Sequence, residues 1–421
     1  MFERTVLPDG PRVISARLPG TRSLAVAVYV LVGSRLESRE RSGVAHFMEH
    51  LTFKGTQAMP TTREVSEAIE GVGGSCNAAT DRESTVYWTR LPVREAERAF
   101  HVLAELVVRP LLREEDISRE REIIVEEIRS YRDDPGQFVY NVFDEGYFGD
   151  TPLGWEIAGT EDTVRGLSVE DIRAFWGAGY KPANLVVAAA GDLSHERVVE
   201  LVRKSFGSGT GVVPEYGPAP ATLPATRITV HNSPIAQAHL CLGLPALPRD
   251  HPDQWSLELL NTVLGDGSSS RLFQRVREEK GLAYDVHSFQ TDYADCGTLQ
   301  IYAGVDPSAL ASAIEAILAE LARLRDEVVP QAELEKARNY ASGRLELRLE
   351  ESRAMASWLG GQEALHDRVL TPDEALAALD AVTPGDIHAL AGRLIRDEGL
   401  ALSVIAPARH GKKLEKSLRL P

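Results

Sequence analysis

One order of elements, written twice, constrains this chain most. Strand-like stretches at residues 12–15 and 24–32, joined by a turn at Pro19-Gly20, lead into a helix around 43–53. Hairpin-like stretches rich in small and β-branched residues follow at 75–80 and 83–89. The same grammar begins again with strands at 227–230 and 238–244, a helix at 253–263, and strands at 283–292 and 297–303. Self-similarity at a spacing of roughly 200 residues marks an internal duplication. A chain of 421 residues has room for two such domains. The segment 207–226 is dense in Gly and Pro with no apolar period, so it reads as a linker between domains at 1–206 and 227–421. The expected fold is α+β, each domain a mainly antiparallel sheet covered by helices on one side.

The remaining signals fill in that frame. Helices are expected at 62–70, before Gly71-Val72-Gly73-Gly74, at 113–132, and at 195–206. A short capped helix is expected at 168–175, a loop at 154–159 and an apolar strand at 184–191. Long helices at 307–326 and 331–347 and a last strand at 400–405 complete the second half.

The first helix carries chemistry. In Gly43-Val44-Ala45-His46-Phe47-Met48-Glu49-His50-Leu51, His46 and His50 stand one turn apart on one stripe, with Glu49 beside it. Val44, Phe47, Met48 and Leu51 fall on the opposite side, ready for a core. Two histidines at i, i+4 can both ligate zinc and leave the carboxylate free to take a proton from water. The order His-x-x-Glu-His is the inverted zincin motif. Ser42 is the expected N-cap, and Lys54-Gly55 the basic end and stop.

The helix at 113–132 offers Glu120, Glu122, Glu126 and Glu127. Ile123, Ile124, Glu120 and Tyr131 lie within about 60° of Glu127 at roughly 100° per residue, whereas Glu122 and Glu126 fall elsewhere with Arg129. A carboxylate on an apolar face needs a partner. Glu127 is therefore the better third ligand, and Glu120, two turns earlier, suits a supporting place behind a ligand. Without the histidines all four would read as a solvated face. The stretch Asn77-Ala78-Ala79-Thr80 admits two readings, an ordinary hairpin or an edge strand whose small side chains let an extended peptide approach.

The helix at 253–263 holds the place of the metal helix in the second half but reads Leu257-Glu258-Leu259-Leu260-Asn261, so the second domain lacks the metal. Net charge is −16, which disfavours nucleic acid and anionic membranes as partners. Cys76, Cys241 and Cys296 form no pairing pattern. With no apolar leader at Met1–Gly10 and no apolar run of about 18 residues, a cytoplasmic protein is expected.

Together these residues resemble the pitrilysin-type metallopeptidases, family M16, over nearly the whole chain. The similarity is greatest to the short branch that includes mitochondrial processing peptidase and bacterial homologues. It is carried by Gly33-Ser34-Arg35, His46-Phe47-Met48-Glu49-His50-Leu51, Gly73-Gly74, Asn77-Ala78-x-Thr80, Glu120 with Glu126-Glu127-Ile128, Gly159-Thr160 and Ala190-Gly191-Asp192. The resemblance implies one Zn²⁺ per subunit held by His46, His50 and Glu127, with Glu49 as general base and Glu120 in support. It also implies that Asn77 and Ala78 lie on the strand that pairs with the substrate backbone. In the second half, Arg277 and Tyr284 match a pair that helps hold substrate near the zinc. By spacing they are a capped helix followed by a strand, and by chemistry they suit an oxyanion or a bound peptide.

Because the chain keeps both sets, it resembles the homodimeric members, in which each zinc faces the partner's second domain and Arg277 and Tyr284 act in trans. Heterodimers with a related subunit are the other arrangement. Residues 265–270 hold fewer glycines than the loop of the non-catalytic processing-peptidase subunit, so presequence recognition of that kind is not implied. The expected function is that of a zinc endopeptidase on peptides or unfolded segments. A non-catalytic structural or peptide-binding subunit is the alternative.

Overall fold

The computed structural model describes residues 2–211, 215–217, 223–407, 414 and 418–421. The first half runs β1 (Phe2–Val6), β2 (Arg12–Arg17), β3 (Ser23–Val30), α1 (Val44–Thr52), α2 (Thr62–Glu70), β4 (Ser75–Thr80), β5 (Thr85–Pro92), α3 (Ala96–Val108), α4 (Glu114–Arg132), α5 (Pro135–Phe148), α6 (Glu161–Gly166), α7 (Val169–Gly179), β6 (Leu185–Gly191) and α8 (His195–Phe206). The second half runs β7 (Ile228–Asn232), β8 (Ala238–Ala246), α9 (Gln254–Leu264), β9 (Ala283–Asp292), β10 (Gly297–Val305), α10 (Leu310–Asp326), α11 (Gln331–Leu349), α12 (Ser352–Leu365), α13 (Pro372–Ala381), α14 (Pro384–Leu394) and β11 (Ala401–Ala406). The linker expected at 207–226 falls partly outside the described residues, at 212–214 and 218–222. Its described part forms no helix or strand.

Each half builds one sheet with the same topology. The first has the order β1-β2-β6-β3-β5-β4 and the second β7-β11-β8-β10-β9. Setting β1 aside, the first strand of each half lies beside its last, then come the second, fourth and third. The parallel pairs are β2 with β6 and β7 with β11, and the other pairings are antiparallel. The sheets are therefore mainly antiparallel, and the duplication read from the element order is a duplication of topology.

Both faces of both sheets are covered, which corrects the one-sided expectation. In β3, Val26, Val28 and Val30 join the core that holds Phe47 and Met48 of α1 and Ile124 of α4. Ala25, Ala27 and Tyr29 face the other way, against Ala356 and Leu359 of α12. In β8, Leu240, Leu242 and Leu244 pack with α9, α10 and α14, and Cys241 packs on the opposite face with Val139 and Phe143 of α5. A strand of uninterrupted small and apolar residues needs cover on both sides, because period-2 alternation sends its apolar side chains to both faces.

The covering helices come from the opposite halves of the sequence. One compact unit comprises Met1–Arg129, Glu156–Gly217 and Glu346–Thr371, and the other Ser130–Trp155, Pro218–Leu345 and Pro372–Pro421. The contiguous division at 206 and 227 thus differs from the units by an exchange, α12 going to the first sheet and α5 to the second. Buried Glu363 of α12 accepts from Arg4 Nε at 2.7 Å and Arg4 Nη2 at 3.0 Å. Its backbone carbonyl accepts from Arg12 Nη1 at 2.6 Å, so α12 is fastened to β1 and β2. No helix among the described residues is long and apolar enough to cross a membrane.

Candidate metal centre

Helix α1 forms where its apolar stripe predicts, with Val44, Phe47, Met48 and Leu51 buried. Its start differs from expectation. Gly43, not Ser42, stands at the cap, in the left-handed region at φ 96°. A Cβ there would meet the Ala158 carbonyl oxygen at 2.5 Å, so both the torsion and the close approach require glycine. The Ser42 hydroxyl turns instead to Thr163 Oγ1 at 3.2 Å. The amides of Gly43 and Ala45 donate to Glu37 Oε2 and Oε1 at 2.8 and 2.7 Å. Burial pushes the Glu37 carboxyl up to about 8, against the pull of those two amides and of Arg82.

Helix α4 supplies the third group. Its buried stripe is Ile117, Glu120, Ile124, Val125 and Ile128. That stripe is centred roughly 80° away from Glu127 at about 100° per residue, so Glu127 stands on its margin. Ile123 and Tyr131, expected on the apolar face, are 50% and 48% exposed because they lie beyond that margin or beyond the packed length of the helix.

His46, His50 and Glu127 each offer one ligand atom, and these atoms all lie within 4.8 Å of one another. Glu127 Oε2 is 3.4 Å from His50 Nε2, and Glu127 Oε1 is 3.8 Å from His46 Nε2. Two tetrahedral ligands at zinc bond lengths sit about 3.3 Å apart, so this donor set fits zinc. Behind it, His50 Nδ1 lies 3.2 Å from Glu120 Oε2, and Lys54 Nζ lies 2.7 Å from Glu120 Oε1. A carboxylate on the rear nitrogen fixes the tautomer that turns Nε2 toward the cluster.

Burial and charge pairing set the protonation of the cluster. Burial, aided by the neighbouring His50, holds His46 down at about 4, leaving it a neutral donor. Burial also opposes charge on His50, but its hydrogen bonds to Glu120 and Glu127 overcome this and raise it to about 9. The Glu127 carboxyl is held low, first by its hydrogen bond to His50. Glu120 is likewise low, burial being outweighed by His50 and Lys54. The cluster thus sets the carboxylates of Glu127 and Glu120 against His50 and Lys54, with His46 neutral, and a cation bound there would displace the proton of His50.

Glu49 stands next to this group and outside it. Burial raises its carboxyl above the ordinary value, and a hydrogen bond from Thr80 holds it back. Thr80 Oγ1 donates to Glu49 Oε2 at 2.5 Å. Thr80 ends β4, and by strand period it shares a face with Ala78 and Cys76. In the sequence Thr80 stands only within the Asn77-Ala78-x-Thr80 pattern, and the period-2 spacing from Ala78 is the signal that places it toward the base. Glu37 was missed altogether, since a carboxylate six residues ahead of a glycine cap leaves no periodic mark.

Asn77 and Ala78 lie on β4, the last strand of the first sheet, opposite Trp88 and Tyr87 of β5. The Ala78 amide donates to Asn77 Oδ1 at 2.9 Å, not across the β5 ladder. An added strand would take over that donor. Arg277 and Tyr284 belong to the other unit, where the structure pairs them with each other. The Arg277 guanidinium lies 5.1 Å from the centre of the Tyr284 ring and 4.7 Å from that of Phe273. Tyr284 is 77% exposed.

Known relatives match this chain over nearly its whole length. The family description "Insulinase (Peptidase family M16)" matches residues 12–161, and "Peptidase M16 inactive domain" matches residues 166–340. An uncharacterized zinc protease of Streptomyces coelicolor is 37% identical over 414 residues, 96% of this chain and 90% of its own. One of Bacillus subtilis is 34% identical over 408 residues, 97% and 99% of the two chains. The crystal structure of a protease from Helicobacter pylori superposes with a TM-score of 0.89 at 25% identity, covering 97% and 99%.

Proposed function

The chain belongs to peptidase family M16, and on that premise we propose that it is a zinc-dependent endopeptidase acting on peptides or unfolded polypeptide segments. The observation that carries the reading is the convergence of His46, His50 and Glu127 with Glu49 beside them, free of the ligand set. Zinc, when bound, supplies Lewis acidity that polarises a peptide carbonyl and lowers the pKa of water toward about 7.

The chain's own residues do the rest. Glu49, kept basic by burial, takes the proton of the attacking water and returns it to the leaving nitrogen. The hydroxyl of Thr80, bonded to that carboxylate, keeps it oriented. Glu120 fixes the ring of His50. The free edge of β4 takes an extended substrate by main-chain pairing, with the Ala78 amide as a donor and small side chains leaving room. Arg277 and Tyr284 offer a guanidinium and a hydroxyl to the substrate carbonyl. In a homodimer each subunit lends them to its partner's site.

Cleavage of a long unstructured peptide tests this. Activity is expected in the purified protein, lost on chelation and restored by zinc. Glu49→Gln is expected to keep zinc and lose at least about 10²-fold in rate. Hydrolysis that persists in the variant sinks the assigned mechanism, and activity indifferent to chelator sinks the metal.

A further inference from the structure

Helix α1 begins without a cap of its own. Gly43 has no side chain to offer, and the Ser42 hydroxyl is engaged with Thr163. The carboxylate that takes the Gly43 and Ala45 amides belongs to Glu37, which is only 7% exposed. Each amide meets a different oxygen, so Glu37 satisfies two of the donors that a helix start leaves unpaired.

The segment carrying Glu37 is itself braced. The amides of Ser34 and Arg35 donate to the carbonyls of Asp81 and Arg82 at 3.1 and 2.7 Å. Arg35 Nη1 lies 2.6 Å from Glu83 Oε1, both side chains buried. Residues 81–84 are the turn between β4 and β5. Glu37 therefore connects the turn of the substrate hairpin to the first turn of the helix whose next residue is His46. That end of the helix also carries the positive pole of its dipole, which opposes a divalent cation held by a first-turn side chain. Once ionised, the buried Glu37 carboxylate there offsets it.

We propose that Glu37 is a positioning residue for the metal: its carboxylate fixes the first turn of α1, and with it the aim of His46, and so raises affinity for a divalent cation. The inference rests on the zinc reading above.

The test uses the full chain with Glu37→Gln, which keeps the shape and loses the charge, and Glu37→Asp, which keeps the charge and loses reach. Zinc affinity is measured by competition with a chromogenic chelator. The buffer stands above the pH of about 8 to which burial raises this carboxyl. Circular dichroism establishes folding, and melting of the metal-free proteins is recorded alongside. Glu37→Gln is expected to bind zinc at least about 10-fold more weakly, with Glu37→Asp between it and the wild type. Folded variants with lowered melting temperatures and wild-type zinc affinity would show a purely structural brace and overturn the proposal. If Glu37→Gln does not fold, wild-type affinity in Glu37→Asp overturns it equally. Peptide hydrolysis by the wild type is followed in parallel. A wild type that binds zinc without cutting peptide fails the functional reading and leaves the Glu37 result standing.

Discussion

Thr80 is the residue whose role follows most directly from geometry. Its hydroxyl donates a hydrogen bond to Glu49, and it stands on β4, the strand proposed above to take substrate. Thr80→Val keeps the shape and removes the donor. A hydrogen bond to a charged group contributes about 1.5–3 kcal/mol, so kcat should fall about 10–100-fold. KM and zinc content should stay unchanged, and Thr80→Ser should recover most of the rate. A rise in KM with kcat intact would place Thr80 in binding instead. A second residue reports on stability. Buried Glu105 accepts from the Ala58 amide at 2.8 Å and from Arg109. Burial opposes its charge, but these bonds prevail and hold its pKa below the ordinary 4.5. The stabilisation is therefore complete above 4.5 and lost as pH falls below it. Acidification from neutral pH to well below 4.5 should lower the melting temperature of the wild type more than that of Glu105→Gln. At this scale the sequence was legible wherever partners are near in the chain. His46, Glu49 and His50 share one helix, and Glu127 and Glu120 share another, so 3.6-residue spacing sorted them. Glu37 and Lys54 act through contacts that no period records.

The exchanged helices decide the architecture at the scale of elements. Each packs against its sheet at a glycine, on the helix in one case and on the strand in the other. In α12, a Cβ on Gly360 would meet Tyr29 Cε2 at 2.5 Å and Ala188 Cβ at 2.8 Å. In β8, a Cβ on Gly243 would meet Phe143 Cζ of α5 at 2.2 Å. Gly360→Val should thus lift α12 from the first sheet and cost about 1–3 kcal/mol, read as a lower urea midpoint at unchanged slope. A neutral result would mean that α12 shifts freely, in conflict with its fastening through Glu363. Neither helix was anticipated, nor was α3, although Asp134-Pro135 caps α5 in a recognisable way. The strands other than β1 stand within two or three residues of the sequence reading, because their runs of small and β-branched residues end at turns, whereas Phe2–Val6 carries no such run. What the pattern did not convey is cover on the second face. An unbroken apolar strand says that both faces are buried, but not which distant segment buries them.

The duplicated molecule is asymmetric in chemistry. Both halves repeat the same strand order, yet α9 stands where α1 does and carries Leu257, Leu259 and Leu260 into its core with no ligand pair. The second half instead exposes Tyr284 beneath a guanidinium, an arrangement suited to contact with something outside its own unit. If that contact is the substrate at a partner's zinc, each active site needs Glu49 from one subunit and Tyr284 from the other. Glu49→Gln and Tyr284→Phe homodimers should then each be impaired. Mixed after dissociation and reassociation, half of the dimers are heterodimers. One of their two sites pairs an intact Glu49 with an intact Tyr284, so about a quarter of wild-type sites should return. Recovery near that level would establish catalysis across a twofold interface. Activity that stays at the average of the parents would mean that Tyr284 serves the zinc of its own chain, and that the closed site belongs to one subunit alone.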